Sequence, residues 1–232
     1  MIIGLSGRMG SGKDTVGKII QYLLCKNVGD ISLEDVVSCN DHDWWLDEQS
    51  KFEIKKFAGK LKAVGSLLTG IPTEKFEDQE FKKTDLPNEW VYIENGYAAR
   101  NMTVRDFLQK LGTEAMRNGL HTNVWVNALF ADYKEELDPY HFKSHINEST
   151  LKYPNWILTD MRFPNELESV VERNGITIRV TRPVEKSKTT ARLHPSETSL
   201  DKAEFDYEIV NDGTIKELAE KVQIILIKEG IL

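Results

Sequence analysis

Gly7-Arg8-Met9-Gly10-Ser11-Gly12-Lys13-Asp14-Thr15 is the stretch around which the rest of this chain organises. It follows the apolar run Met1-Ile2-Ile3-Gly4-Leu5, and it leads into Val16-Gly17-Lys18-Ile19-Ile20-Gln21-Tyr22-Leu23-Leu24, where apolar residues recur at helical spacing. A buried strand, a glycine-rich turn and a helix, carrying Gly-x-x-x-x-Gly-Lys across the turn, is a phosphate-binding loop in its proper context. Glycines allow backbone N–H groups to converge on phosphate oxygens, the helix N-terminus adds a favourable dipole, and Lys13 reaches the β- and γ-phosphates. The stretch predicts a nucleoside triphosphate site built from Gly7, Arg8, Gly10, Ser11, Gly12, Lys13, Asp14 and Thr15. One position departs from the general pattern. The residue after the lysine is usually Ser or Thr, whose hydroxyl joins the Mg²⁺ shell, and here it is Asp14. A carboxylate beside a triphosphate needs a metal ion or a metal-bound water between them. Asp14 is therefore expected as an outer-shell Mg²⁺ partner, with Thr15 as the rival ligand.

Composition narrows the class. The 232 residues (26.6 kDa) are 40% hydrophobic and 29% charged, the balance of an ordinary soluble globule of one large domain or a core with an insertion. A formal charge of −7 and a pI near 5.4 argue against a general nucleic-acid binder. No apolar run approaches the roughly 20 residues that span a bilayer, and the sequence enters its first strand at once, so no signal peptide is expected. Cys25 and Cys39 form no Cys-x-x-Cys pair, which suits a reducing cytoplasm. His141 and His145 lack a third ligand at metal spacing, so no zinc site is expected.

Strand and helix alternate along most of the chain. Phe52 to Ala58 is expected as a strand, Gly59 to Leu68 as a helix ending at Gly70 and Pro72, and Thr103 as the N-cap of a helix through Phe107, Leu108, Leu111 and Met116. A further helix is expected over Asn123 to Leu137. Trp156-Ile157-Leu158-Thr159-Asp160 reads as a strand, Pro164 to Arg173 as a helix stopped by Asn174-Gly175, Ile176 to Val180 and Phe205 to Val210 as strands, and Thr214 to Lys228 as an amphipathic helix. Trp44 and Trp45, in the acidic stretch Asn40 to Glu48, are read as packing on the core. The polar, aromatic segment 71–101, with Pro87 and Gly96, breaks the rhythm and is the expected insertion. The fold class that follows is α/β: a P-loop NTPase whose parallel sheet is flanked by helices, with an inserted lid or substrate subdomain. Ligands in such sheets bind at the carboxyl ends of the strands.

Two further groups carry charge in suggestive places. Asp160-Met161-Arg162-Phe163-Pro164-Asn165-Glu166 packs acids and an arginine into a strand-to-helix turn. The acids can accept hydrogen bonds from a base or sugar while Arg162 meets a phosphate through its planar fork. Helix capping by Asn165, with Glu166 neutralising the dipole, is the structural alternative. Arg179, Arg182, Lys186, Lys188 and Arg192 then supply cations after a strand of the same sheet. A mobile arginine-bearing lid over about 183–200 would neutralise a transferring phosphoryl group; a solvated surface loop is the alternative.

Taken in order, Gly10-Ser11-Gly12-Lys13-Asp14-Thr15, Leu111-Gly112-Thr113-Glu114 with Arg117 and Trp125, Thr159-Asp160-Met161-Arg162-Phe163-Pro164-Asn165-Glu166, His194-Pro195-Ser196-Glu197 and Ile209-Val210-Asn211-Asp212-Gly213-Thr214 resemble the deoxynucleoside monophosphate kinases of tailed bacteriophages over essentially the whole chain. The resemblance implies a kinase that moves the γ-phosphoryl group of ATP, with Mg²⁺, to a deoxynucleoside 5′-monophosphate. Lys13, Asp160 and Arg182 would then be catalytic. Lys56, Arg117, Trp125, Asp160, Arg162 and Glu166 would line the acceptor pocket, and Arg179, Arg182, Arg192, His194 and Glu197 would belong to the lid. The implied setting is a host cytoplasm. The implied partner is a small-molecule dNMP, with neither nucleic acid nor membrane, in a monomer or homodimer. Another small-molecule P-loop kinase, such as one acting on dephospho-coenzyme A, and a non-kinase P-loop NTPase are the alternatives.

Overall fold

Ile2–Ser6 forms β1, and every one of its residues is buried. The computed structural model describes residues 1–38, 42–94, 97–137, 151–183 and 198–232. Four further strands, β2 (Phe52–Lys55), β7 (Asn155–Met161), β8 (Ile176–Thr181) and β9 (Tyr207–Val210), join β1 in a five-stranded sheet of order β2-β7-β1-β8-β9. All its pairings are parallel. Helix α1 (Lys13–Leu24) and the C-terminal helix α8 (Ile215–Lys228) bury Val16, Ile19, Ile20, Leu218, Val222 and Leu226 against Ile3, Leu5, Ile178 and Val180. Strand alternation sends Gly4 to the opposite face, where a Cβ would touch Val170 of α7 (Pro164–Val171). Helices therefore flank the sheet on both faces, as is usual for parallel strands joined by crossover helices. Thr214 caps α8 through a reciprocal pair with Glu217, and Asn174 takes the left-handed conformation (φ 53°) that stops the chain after α7.

The chain divides into two compact units, residues 1–56 with 131–232, and residues 57–130. The first also holds α2 (Leu33–Ser38), α3 (Asp43–Ser50) and a small ribbon, β5 (Glu136–Leu137) with β6 (Leu151–Lys152). The second holds α4 (Phe57–Thr69), three short 3₁₀ turns, the ribbon β3 (Tyr92–Glu94) with β4 (Tyr97–Arg100), α5 (Val104–Gln109), a π-helical segment Lys110–Asn118, and α6 (Val124–Phe130). Its core is Phe76, Leu86, Val104 and Phe107, with Trp90 edge-on to Phe107 at 5.1 Å. The segment 71–101 lies inside this unit, whose limits are wider at both ends.

Several boundaries differ from the sequence expectation. Strand β2 ends at Lys55, because Phe57 is the buried first residue of α4 and meets Phe130 edge-on at 6.2 Å. The helix expected over 123–137 stops at Phe130, and Glu136–Leu137 is strand. Thr103 does cap α5, but the turns beyond Gln109 widen to i→i+5 spacing. Trp44 is 70% exposed, so the core reading fails for it; Leu46 is the wholly buried residue of α3. Cys39, His141 and His145 lie outside the described residues.

Candidate active site

The loop between β1 and α1 has the shape its composition demands. Gly10 and Gly12 adopt positive φ (78° and 94°), which residues with a Cβ rarely tolerate. Gly7 is forced by space: a Cβ there would come within 2.3 Å of Ser11 Oγ and 2.5 Å of the Val180 carbonyl oxygen. No side chain caps the N-terminus of α1, so its first N–H groups point at the loop as an anion site requires. Ser11 Oγ is buried with no hydrogen-bond partner, and Lys13 is only 6% exposed. An orphaned hydroxyl beside an uncapped helix is a group that a polyphosphate would satisfy.

Asp14 sits where three elements meet. Its Oδ1 accepts a hydrogen bond from Thr159 Oγ1 of β7 at 2.9 Å and lies 3.3 Å from Lys56 Nζ, just beyond β2. Partial burial pushes the Asp14 carboxyl up, but Lys56, the Thr159 hydroxyl and Lys13 together outweigh it and leave the pKa lowered. Asp14 therefore stays ionised at neutral pH, and whatever it contributes to stability is lost only as pH falls through that lowered value. Lys56, expected at an acceptor pocket, is thus drawn toward the phosphate loop. The β7 side chain that reaches Asp14 is Thr159, which carried no signal in the sequence beyond its place before Asp160. Asp160 is buried at the end of the same strand, and Thr15 is half-buried in the first turn of α1.

The turn after β7 is capped by its own carboxylate. Glu166, 4% exposed, accepts hydrogen bonds on Oε2 from the backbone N–H groups of Arg162 (2.6 Å) and Phe163 (3.0 Å). Capping falls to Glu166 rather than Asn165, and that oxygen is committed to the backbone. Trp125 is corrected in the same sense. Its indole N–H donates to the Gly112 carbonyl at 2.9 Å, and the ring is 8% exposed. Gly112 is held against Leu61, which a Cβ would approach to 2.8 Å. Gly112 and Trp125 are thus engaged in packing within the second unit, and Arg117 is half-buried in the π-helical segment. Such widened turns are frequent at functional sites.

A cleft of about 440 Å³ opens beside the loop, lined by Arg8, Gly10, Ser11, Arg182, Asp201 and Phe205 among others. Asp201 bridges two arginines: Oδ2 accepts from Arg8 at 2.6 Å and Oδ1 from Arg179 at 3.0 Å. Arg179 also donates to the buried Ser6 Oγ at 2.9 Å. Arg179 is therefore not a lid residue. It lies within β8, where alternation sends Ile178 and Val180 to the core and Arg179 to the other face. Arg182 follows β8, is exposed on the cleft rim, and has no hydrogen-bond or ion-pair partner among the described residues. Arg192, His194 and Glu197 lie outside the described residues. Among those described, no group of three or more His, Cys, Asp or Glu is placed to hold a metal ion, and no helix is long and apolar enough to cross a membrane. Burial pushes the free Cys25 thiol up to about 11, so it is no nucleophile at neutral pH.

The family model for deoxynucleotide monophosphate kinase matches residues 48–222. The chain belongs to that family. The enzyme is accordingly a phosphotransferase with nucleotide substrates. Its phosphate loop precedes the matched span and rests on its own geometry. A deoxynucleoside-5′-monophosphate kinase of Escherichia phage T5 is 26% identical, over 91% of this chain and 89% of the relative. A protein of Acanthamoeba polyphaga mimivirus, provisionally named a deoxynucleotide monophosphate kinase, is 25% identical over 96% and 94%. A deoxynucleotide monophosphate kinase of Enterobacteria phage T4 is 28% identical over 52% and 44%. Nothing among these relatives points to dephospho-coenzyme A or to a non-kinase NTPase.

Proposed function

We propose that the chain transfers the γ-phosphoryl group of ATP to the 5′-phosphate of a deoxynucleoside monophosphate, giving ADP and a dNDP. The observation that carries the donor half is the cradle at Gly7–Thr15, with its uncapped helix, buried Lys13 and unpartnered Ser11 Oγ. The acceptor half rests on family membership. An acceptor phosphate oxygen forms the new bond to the γ-phosphorus as the bond to the β,γ-bridging oxygen breaks. Little covalent work falls to the protein. Its residues align the two phosphates and stabilise charge on the transferring group.

The donor set near the loop is all oxygen, which fits a hard cation such as Mg²⁺. Thr15 and Asp14 would hold it, Asp14 through a metal-bound water, since its Oδ1 is engaged by Thr159 and Lys56. The ion would supply charge neutralisation on the triphosphate. Lys13 draws negative charge toward the loop, and Arg182 stands at the cleft rim as the group able to meet the transferring phosphoryl.

A panel of dTMP, dGMP, dCMP, dAMP and their hydroxymethylated pyrimidine analogues, with dephospho-coenzyme A beside them, tests the reading. ADP release is expected only with one or more dNMPs; release without acceptor, or with dephospho-coenzyme A alone, overturns it. On the acceptor side, Arg117→Ala is expected to raise the dNMP KM about 10- to 100-fold, the worth of a hydrogen bond to a charged phosphate. ATP affinity should stay unchanged. Equal weakening of both substrates in steady-state kinetics would make Arg117 structural or donor-side.

A further inference from the structure

Asn211 is the described side chain that reaches across the sheet to the phosphate loop's own backbone. It follows β9, and its backbone N–H donates to the Thr181 carbonyl at 2.7 Å, extending the β8–β9 pairing by one step. That bond fixes where its side chain starts. The side chain is buried (8% exposed), and Nδ2 donates to the carbonyl oxygen of Ser11 at 2.9 Å. The fit is close enough to dictate the neighbouring residue: a Cβ on Gly12 would stand 2.4 Å from Asn211 Nδ2.

The consequence lies in the peptide that joins Ser11 to Gly12. No peptide bond among the described residues is cis, and in a trans peptide the C=O and N–H point in opposite directions. Holding the Ser11 carbonyl toward Asn211 therefore directs the Gly12 N–H away from it. The conformational freedom of Gly12 makes this orientation vulnerable, because a glycine on the C-terminal side of a peptide plane lets it turn at reduced steric cost. A turned plane would present a carbonyl oxygen, in place of a donor, to an incoming anion.

Building on the reading of Gly7–Thr15 as the donor-phosphate loop, we propose that Asn211 is a positioning residue for the donor phosphates, its amide latching the Ser11–Gly12 peptide with the N–H on the phosphate side. Asn211→Ala removes the latch. Asn211→Asp keeps the shape, removes the donor and sets a carboxylate against the Ser11 carbonyl. Equilibrium titration with ATP in the absence of acceptor should show both variants weakened by about tenfold or more, as expected for one lost phosphate donor. The dNMP KM should stay unchanged, a split that a merely structural role would not produce. Unchanged ATP affinity in a folded variant, or equal loss of dNMP affinity, overturns the proposal. Should both variants fail to fold, hydrogen exchange at the Gly12 amide of the unmodified protein decides. ATP should slow it by about tenfold or more if that N–H donates to phosphate, and no slowing overturns the latch. Failure of the underlying reading looks different: the unmodified protein would not bind ATP at all.

Discussion

Lys13→Ala should lower kcat by about 10³-fold, the order expected when one preorganised donor to developing charge is deleted, with the fold retained. The loop backbone has supports other than this side chain. It is set by Gly10 and Gly12 at positive φ, by the exclusion of any side chain at Gly7, and by the Asn211 bond to the Ser11 carbonyl. What the substitution removes is an ammonium only 6% exposed at the mouth of an uncapped helix. Steady-state kinetics and thermal unfolding of the same preparation make the check. Near-normal turnover in a folded Lys13→Ala protein would remove the donor-site assignment, and with it the main support for the proposed reaction.

Arg182→Ala should cost kcat about 10³-fold, within the range known for arginines that meet a transferring phosphoryl group, while moving either KM little. The three described arginines of the cleft differ in what they are already doing. Arg8 and Arg179 share the carboxylate of Asp201, and Arg179 is further tied to Ser6. Arg182 is exposed at the end of β8 and has no such tie among the described residues. A contact made mainly in the transition state lowers kcat without weakening ground-state binding. Arg182→Lys should rescue poorly, because a point charge does not reproduce the planar fork that holds two oxygens. An intact kcat in Arg182→Ala, or a loss expressed wholly as donor KM, would return this residue to the solvated surface.

The features legible in the sequence are those encoded over short stretches. The phosphate loop is one, because glycine tolerance, helix dipole and lysine reach all act within nine neighbouring residues, Gly7 to Thr15. The helix caps at Thr103 and Thr214 are others, each a reciprocal pair three residues apart. The parallel sheet followed from the alternation of strand and helix along the chain. Where the reading erred, the deciding neighbour was distant in the chain. Phe57 belongs to a helix because it meets Phe130, Trp125 is spent on Gly112, and Trp44 faces solvent while Leu46 takes the core.

The site itself shows the same division more sharply. Sequence determined the glycine loop and helix start at Gly7–Thr15, since their requirements are local. It could not determine that Asp14 would be held by Thr159 and Lys56, that Asp201 would join Arg8 to Arg179, or that Asn211 would pin the Ser11 carbonyl. Those partners stand up to 200 residues apart and share no spacing a pattern could carry. Only the strand order β2-β7-β1-β8-β9 brings them to one end of the sheet. Local periodicity fixes which residues are buried on each strand, whereas the identity of neighbouring strand ends is set by how the strands pack.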